Sequence, residues 1–254
     1  MNLAPYLELA TSAAFEAGKL TLRYFQAPLA PDWKADASPV TVADLESEQL
    51  LRRLISSQYP DHAILGEEYG ESNPSSSFRW IVDPIDGTRS FIQGVPLYSV
   101  LIGLEVEGEL VVGVAYFPAL NEMVVAAKGM GCTWNGRACR VTATPRLADA
   151  LICYTDERTF APYGYEAQRQ QLVSACGTLR GWSDSYAHVL VATGRADAAF
   201  DPYMEAWDSA ALAVIMREAG GTFTDWQGNN TIYNGEAIST NGILYPEILA
   251  LLKP

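Results

Sequence analysis

The second half of the sequence alternates short apolar segments with amphipathic ones, and this alternation restricts the fold more than any other feature. Strand-like segments cover residues 149–154, 178–182, 196–200, 222–225 and 236–240, and helix-like segments cover residues 165–176, 184–193, 207–219 and 245–252. In such a chain the helices cover the faces of the sheet that the strands form. The pattern predicts an α/β arrangement for residues 144–254.

The first half of the sequence has a different pattern. Helical periodicity predicts a helix over residues 6–25 and another that begins near Thr41, while three prolines in residues 27–40 predict a loop between them. A short strand is predicted at residues 63–65. The later segments are rich in strand-forming residues and predict an antiparallel sheet, at residues 97–106, 109–117 and 122–127, with hairpin turns at Glu107-Gly108 and Asn135-Gly136. We therefore expect an α+β subdomain at residues 1–143 and an α/β subdomain at residues 144–254, packed as one unit.

Composition excludes several classes of protein. The chain has 254 residues, of which 49% are hydrophobic, enough for one large core or two modest ones. Its formal net charge of −13 opposes binding to nucleic acid or to an anionic membrane surface. No apolar run is long enough for a membrane span, and residues 1–5 lack the charged start of a signal peptide. We expect a cytoplasmic protein.

Cysteines and histidines give no sign of a zinc site. The four cysteines lack C-x-x-C spacing, which indicates reduced and mostly buried thiols. Only two histidines occur, far apart in sequence. We expect His62 at the surface or at a strand edge, and His188, which lies in an apolar helical run, as a core residue with satisfied hydrogen bonds.

Residues 80–88, WIVDPIDGT, begin as an apolar strand and continue with two carboxylates, a glycine and a hydroxyl. We expect Pro84 to end the strand, because proline cannot donate to the sheet. Asp83 and Asp86 can converge on one divalent cation, and hard ions such as Mg²⁺ prefer oxygen ligands.

Three amides follow these carboxylates, those of Gly87, Thr88 and Arg89, at the predicted start of a short helix. Such amides form a natural seat for an anion such as phosphate. The same residue types also form ordinary Asx turns, and this motif alone does not separate the two interpretations.

Other charged residues also have two interpretations. Glu67 and Glu68 end a predicted strand and are either surface acids or, for one of them, an inward-facing ligand. Asp44 completes the T-x-x-D pattern of a capping box, and Asp208 at a helix start is either an N-cap or a third metal-binding carboxylate. Lys34 is either solvated or able to reach a bound phosphate.

Three separated motifs resemble the inositol monophosphatase superfamily in order and spacing. They are Gly66-Glu67-Glu68, residues 80–88, and Trp207-Asp208 followed by an alanine-rich helix that ends in Glu218-Ala219-Gly220-Gly221. The resemblance extends from about Lys34 to Gly242. It implies a layered α-β-α-β-α sandwich, a homodimer, and Mg²⁺-dependent hydrolysis of a small-molecule phosphate monoester by direct attack of water.

The resemblance also implies roles for individual residues. It implies two to three Mg²⁺ ions, one held by Glu67, Asp83 and the Ile85 carbonyl and a second by Asp83, Asp86 and Asp208. It further implies that the Gly87 and Thr88 amides bind phosphate, that Asp44, Thr88 and Glu67 serve catalysis by orienting and activating the water, and that Lys34 lies on a mobile lid.

Further stretches resemble the bacterial histidinol-phosphatase branch, at residues 88–91, 95–97, 184–187, 194–197 and 224–226. Asp184 stands where inositol phosphatases tend to have a small neutral residue, and a carboxylate there suits a substrate that carries an ammonium and an imidazole. Asp201 replaces the usual glutamate that contacts the leaving group, and Tyr98 replaces a tryptophan common in that branch. L-histidinol phosphate is therefore the expected substrate.

Two alternatives to this substrate assignment stay open. One is a phosphatase that acts on inositol 1-phosphate, fructose bisphosphate or a nucleotide 3′-phosphate. The other is a metal-binding regulatory protein that has lost activity.

Overall fold

The computed structural model describes residues 1–28, 31–34 and 38–252. The helices in these ranges are α1 (Ala4–Thr21), α2 (Val42–Gln58), α3 (Thr88–Ile92), α4 (Glu166–Ala175), α5 (Asp184–Ala192), α6 (Ala206–Glu218) and α7 (Tyr245–Leu252). The first strands are β1 (Asp32–Trp33), β2 (Pro39–Val40), β3 (Ala63–Gly66), β4 (Gly70–Ser72), β5 (Phe78–Asp86), β6 (Ser99–Val106), β7 (Glu109–Phe117), β8 (Glu122–Ala127), β9 (Gly131–Trp134) and β10 (Arg137–Ala138). The remaining strands are β11 (Leu151–Tyr154), β12 (Thr178–Arg180), β13 (Ala198–Asp201), β14 (Thr222–Thr224) and β15 (Ala237–Thr240).

Two large sheets and three helical layers form the architecture, beside a two-stranded sheet of β1 and β2. The larger sheet has the strand order β10-β9-β8-β7-β6-β5-β3-β4, and the smaller has the order β12-β11-β13-β15-β14. Helices α1 and α2 pack on one face of the larger sheet, α5 and α6 lie between the sheets, and α4 and α7 cover the smaller sheet. This is the predicted α-β-α-β-α sandwich.

Helix α6 lies close against the larger sheet. A Cβ atom added to Gly113 of β7 would lie 2.3 Å from the carbonyl oxygen of Ala211, so only glycine permits the approach. The same helix contacts β5. Its first turn, which contains Asp208, therefore lies beside the end of β5 that contains Asp83 and Asp86.

The secondary structure predicted for residues 144–254 is confirmed, with boundaries shifted by at most a few residues. Both hairpin turns are also confirmed, because Glu107 and Gly108 have φ values of 51° and 82°, and Asn135 and Gly136 have values of 47° and 75°. The buried residues between the sheets come from both sides of the predicted boundary at residue 143. The division into two subdomains stays a prediction.

Three local predictions were wrong. Helix α1 ends at Thr21 and not near residue 25. The predicted loop at residues 27–40 contains β1 and β2, which pair antiparallel, while residues 29–30 and 35–37 of that loop lie outside the described residues. Strand β5 does not end at Pro84 but continues to Asp86, because its pairing with β6 is irregular between Asp83 and Asp86 and needs no amide from the proline.

The expectations for histidines and cysteines hold in the described residues. His188 is fully buried with both ring nitrogens hydrogen-bonded, and the His62 ring accepts a hydrogen bond from Trp80 at the partly exposed start of β3. All four cysteines are free thiols. Among the described residues, no helix has the length and apolar character needed to cross a membrane.

Candidate active site

Three aspartates that are distant in sequence converge at one point. Asp83 and Asp86 lie at the end of β5, and Asp208 lies in the first turn of α6. One carboxylate oxygen from each lies within 4.8 Å of the others. Such a set of oxygen donors fits a hard divalent cation. We call these residues the aspartate cluster.

Backbone amides hold the aspartate cluster in place. Asp83 Oδ1 accepts a hydrogen bond from the Ile85 amide at 2.9 Å, and Asp86 Oδ2 accepts from the Ser185 amide at 3.0 Å as well as from the Ser185 hydroxyl. Asp208 Oδ2 accepts from the Glu205 amide at 2.8 Å. The N-cap is Glu205, so Asp208 is the third residue of a capping box and not the N-cap; the N-cap expectation was wrong.

Burial and mutual repulsion destabilise the ionised form of the aspartate cluster. Burial, and then the charges of Glu67, Asp86 and Asp208, raise the pKa of Asp83 well above its usual range. Burial and the charge of Asp86 do the same to the pKa of Asp208. Burial raises the pKa of Asp86 to about 6 against the opposing effect of its hydrogen bonds from Ser185. A bound cation would relieve this repulsion, so the donor set fits a metal ion.

Glu67 lines the same cavity but is paired with a lysine. Lys34 Nζ donates to Glu67 Oε1 at 2.7 Å and to Glu68 Oε1 at 2.8 Å. Burial lowers the pKa of Lys34, but these hydrogen bonds outweigh it and raise the pKa overall. The Lys34 ammonium therefore neutralises the carboxylate that the sequence assigned to a metal ion.

Asp44 completes the capping box of α2 and also lies close to Thr88. Its Oδ2 accepts from the Thr41 amide at 2.8 Å and the Thr41 hydroxyl at 2.6 Å, which completes the capping box of α2. Its Oδ1 lies 3.3 Å from the Thr88 hydroxyl, which also lies 3.0 Å from the Ile85 carbonyl oxygen. Burial raises the pKa of Asp44 to about 6. One oxygen is structural, and the other faces the predicted water-activating hydroxyl.

Gly87 connects β5 to α3 at a point where no side chain fits. Its φ is 82°, and an added Cβ would lie 2.9 Å from Asp184 Oδ2 and 3.2 Å from the Leu97 carbonyl oxygen. The predicted short helix begins here, at Thr88. The turn therefore brings its backbone next to the aspartate cluster and next to Asp184.

Asp184 lies beside the Gly87 turn and lines the same cavity as Asp201. It begins α5 with φ of 54°, and its amide donates to the Thr155 hydroxyl at 2.8 Å. Burial, and then the charges of Asp86 and Asp201, raise the pKa of Asp184 well above its usual range. An approaching cation would stabilise its ionised form.

A buried histidine that sequence reasoning treated only as core packing fixes Asp201. His188 Nε2 lies 3.0 Å from Asp201 Oδ2, and Nδ1 lies 2.7 Å from the Ser239 hydroxyl. If Ser239 donates to Nδ1, then Nε2 carries the proton and donates to Asp201. Ser239 and His188 are fully buried and cannot meet a substrate, so they support Asp201 and do not form a hydrolytic triad.

A single cavity of about 240 Å³ joins these parts. Its walls contain every predicted metal, catalytic and substrate residue except Asp44 and Lys34, together with Ser38, Pro39, Arg89, Thr155, Asp156, Thr159 and Tyr203. Sequence reasoning missed the contributions of Thr155, Ser185, His188 and Tyr203. Ser185 lies in a stretch that resembles the histidinol-phosphatase branch, but no motif assigned a site role to any of the four, because their roles depend on which elements the fold makes neighbours.

The comparisons with known proteins agree with this geometry. The model of the inositol monophosphatase family matches residues 2–253. A histidinol-phosphatase of Chlorobaculum parvum is 42% identical over 98% of this chain and 97% of its own length, and an inositol-1-monophosphatase of Mesorhizobium japonicum is 32% identical over 100% and 98%. The crystal structure of the extragenic suppressor protein suhB from Bartonella henselae superposes with a TM-score of 0.91 at 31% identity and covers 98% of both chains. The chain therefore belongs to the inositol monophosphatase family and is a phosphoric monoester hydrolase.

Proposed function

We propose that this protein is a Mg²⁺-dependent histidinol-phosphatase, which hydrolyses L-histidinol phosphate to L-histidinol and phosphate. The observation that carries the proposal is the single cavity in which a buried aspartate cluster faces an acidic leaving-group side. The name of the Chlorobaculum parvum relative supports the same substrate.

The proposed ion is Mg²⁺, with two to three ions in the site. Glu67, Asp83 and the Ile85 carbonyl would hold one ion, and Asp83, Asp86 and Asp208 would hold a second. When bound, Mg²⁺ polarises a phosphoryl oxygen and makes a bound water more acidic. The exclusively oxygen-donor set favours Mg²⁺ over softer ions such as Zn²⁺, which commonly bind cysteine and histidine.

Asp44 and Thr88 would activate the water. The Thr88 hydroxyl orients a water molecule toward phosphorus and takes the proton that this water loses, while its own proton passes to Asp44 Oδ1, which is buried behind it. A pKa of about 6 suits Asp44 to this task, because the group is ionised at neutral pH and still basic enough to accept a proton. As the new P–O bond forms, the ester P–O bond breaks, and the leaving oxygen takes a proton from solvent.

The Gly87 turn would bind the phosphate. The Gly87 and Thr88 amides lie at the start of α3, where helix amides can donate to phosphate oxygens. The missing side chain at Gly87 leaves the backbone accessible. The ester is thereby placed between the aspartate cluster and Asp184.

Asp184 and Asp201 would select the leaving group. L-Histidinol carries an ammonium and a titratable imidazole, and two carboxylates on this side of the cavity can pair with them. Inositol carries no charge and gains no such attraction. Inositol 1-phosphate is the second candidate, because carboxylates also accept hydrogen bonds from hydroxyls and because the Mesorhizobium japonicum relative carries that name.

The test is a comparison of kcat/KM in the presence of Mg²⁺ for four substrates: L-histidinol phosphate, inositol 1-phosphate, fructose 1,6-bisphosphate and a nucleotide 3′-phosphate. We expect L-histidinol phosphate to have the highest value by at least tenfold, roughly the effect of one charge-assisted hydrogen bond. A preference for inositol 1-phosphate would overturn the substrate assignment and leave the phosphatase assignment intact.

A further inference from the structure

Two free cysteines face each other across a hairpin at the edge of the larger sheet. Cys132 lies on β9 and Cys139 directly follows β10, where the pairing of Trp134 with Arg137 and of Thr133 with Ala138 leads to Cys132 opposite Cys139. The Cys139 amide donates to the Cys132 carbonyl oxygen at 3.0 Å. The two Sγ atoms are 3.5 Å apart.

This arrangement meets the requirements for a disulfide. Directly opposite residues of a hydrogen-bonded antiparallel pair have Cα atoms about 5.5 Å apart, and disulfides span Cα distances of about 4.4 to 6.8 Å. The two-residue turn at Asn135-Gly136 fixes the register. We propose that Cys132 and Cys139 form a reactive dithiol that a peroxide oxidises to a reversible intramolecular disulfide.

Cys139 is the thiol that reacts first. It is partly exposed, whereas Cys132 is buried. The hydrogen bond with Cys132 lowers the pKa of Cys139, and the positive charge of Arg195 acts in the same direction. Burial raises the pKa values of the other two thiols, to about 12 for Cys153 and above its usual range for Cys176. The thiolate is the nucleophile in these reactions, so oxidation should favour Cys139.

The reaction proceeds in two balanced steps. The Cys139 thiolate attacks one peroxide oxygen, the O–O bond breaks, and the products are a Cys139 sulfenic acid and hydroxide, or an alkoxide from an organic peroxide. Cys132 then loses its proton and attacks the Cys139 sulfur, the S–O bond breaks, the S–S bond forms and water leaves. The two thiols lose two electrons, which reduce the peroxide.

The surroundings of the pair favour this reaction over metal binding. Among the residues that the structure describes, the aspartate cluster is the one group with three suitable metal ligands, so the two sulfurs lack a third donor. The hairpin is also held firmly, because the Glu218 carboxylate accepts hydrogen bonds from the Gly129 and Gly131 amides, and the Val141 amide donates to the Ala219 carbonyl oxygen. The backbone on both sides of the pair is therefore anchored, and the two sulfurs already lie 3.5 Å apart.

Peptide mapping tests the proposal on the full chain. The folded protein is treated with hydrogen peroxide, its remaining thiols are blocked with N-ethylmaleimide, and it is digested with trypsin without reduction. Trypsin cleaves after Lys128, Arg137 and Arg140, so the two cysteines fall in separate peptides, 129–137 and 138–140. We expect these peptides joined, with the mass of two hydrogen atoms lost, and released by dithiothreitol.

Two single-residue variants test the order of the two steps and the choice of cysteines. In Cys132→Ser the first step has no resolving thiol, and we expect a Cys139 sulfenic acid that dimedone traps. In the matched control Cys176→Ser, which removes a partly exposed thiol elsewhere, the cross-link should form as in the natural sequence. The proposal is overturned if the two peptides stay separate, if Cys176 is oxidised before Cys139, or if the linkage joins two chains.

Discussion

The two sides of the active-site cavity are built differently. The aspartate cluster accepts hydrogen bonds from backbone amides of Ile85, Ser185 and Glu205 at fixed points of β5, α5 and α6. On the proposed leaving-group side, which contains Asp184 and Asp201, the Asp201 carboxylate is held by the buried His188 side chain. A side held by the backbone is determined by the fold, whereas a side held by side chains can change with single substitutions. This difference would allow the phosphatase reaction to stay the same while single substitutions change the substrate.

The largest expected effect comes from the aspartate cluster. Asp83→Asn removes a charge from the carboxylate that is assigned to both proposed ions. We expect kcat/KM to fall about 10³-fold for every substrate, the size of several kcal/mol of lost metal-ion stabilisation. The melting temperature of the metal-free variant should not fall, because repulsion is relieved. The control is Asp149→Asn, the same change at an exposed residue paired with Arg146. Wild-type turnover by Asp83→Asn would contradict the metal assignment.

The second effect is a pH dependence of stability in the metal-free protein. Burial raises the pKa of Asp44 and of Asp86 to about 6, so between pH 4 and pH 6 the folded protein holds protons that the unfolded chain has lost. Its free energy of unfolding should therefore decrease as pH rises through this window, by up to about 1.4 kcal/mol per pH unit for each group. Urea unfolding with a chelator present measures this dependence.

The variant Asp86→Asn isolates the contribution of one group to that dependence. It should lose less stability than the natural protein as pH rises from 4 to 6, and added Mg²⁺ should stabilise the natural protein at pH 7. Parallel pH dependences for the two proteins would show that the Asp86 pKa is not raised.

The third effect concerns the leaving-group side. His188→Gln leaves Asp201 with a less well-placed hydrogen-bond donor. We expect KM for L-histidinol phosphate to rise about tenfold, because one hydrogen bond to a charged group is weakened, while kcat changes little. Ser239→Ala, which removes only the partner of His188 Nδ1, should have a smaller effect in the same direction. A fall in kcat with unchanged KM would place His188 in the chemical step.

The smallest effect concerns Lys34. Lys34→Ala removes the ammonium that pairs with Glu67 and Glu68, and we expect Mg²⁺ to bind about threefold more tightly, because a partly exposed ion pair is weak. Isothermal titration of the metal-free protein measures the affinity. The control is Lys19→Ala, which breaks the exposed pair with Glu16. Weaker Mg²⁺ binding in Lys34→Ala would show that the lysine assists the site.

The same difference between the two sides explains what the sequence could predict. Local patterns predicted Asp83 and Asp86 together at one strand end, whereas only the family resemblance joined Asp208 to them, because sequence spacing does not place a helix start beside a distant strand end. The layered fold followed from the alternation after residue 144 and from the family motifs. The strand through Pro84 was missed because an irregular pairing that tolerates proline leaves no local mark.

Residues on the leaving-group side were harder to predict, because their contacts join distant elements. His188 on α5 reaches Asp201 on β13 and Ser239 on β15. The helical pattern around His188 indicates only burial. Similarly, nothing in the sequence next to Ser185 indicates that its amide and hydroxyl bind Asp86.

The most direct test of this comparison is the ratio of kcat/KM for L-histidinol phosphate to that for inositol 1-phosphate, measured in the natural protein, Asp86→Asn and Asp201→Asn. Asparagine keeps the shape of the side chain and removes the charge. We predict that Asp86→Asn lowers both values and preserves the ratio, whereas Asp201→Asn lowers the ratio about tenfold. A ratio that changes with Asp86→Asn and is unaffected by Asp201→Asn would contradict the division of the cavity into a chemical side and a substrate-selecting side.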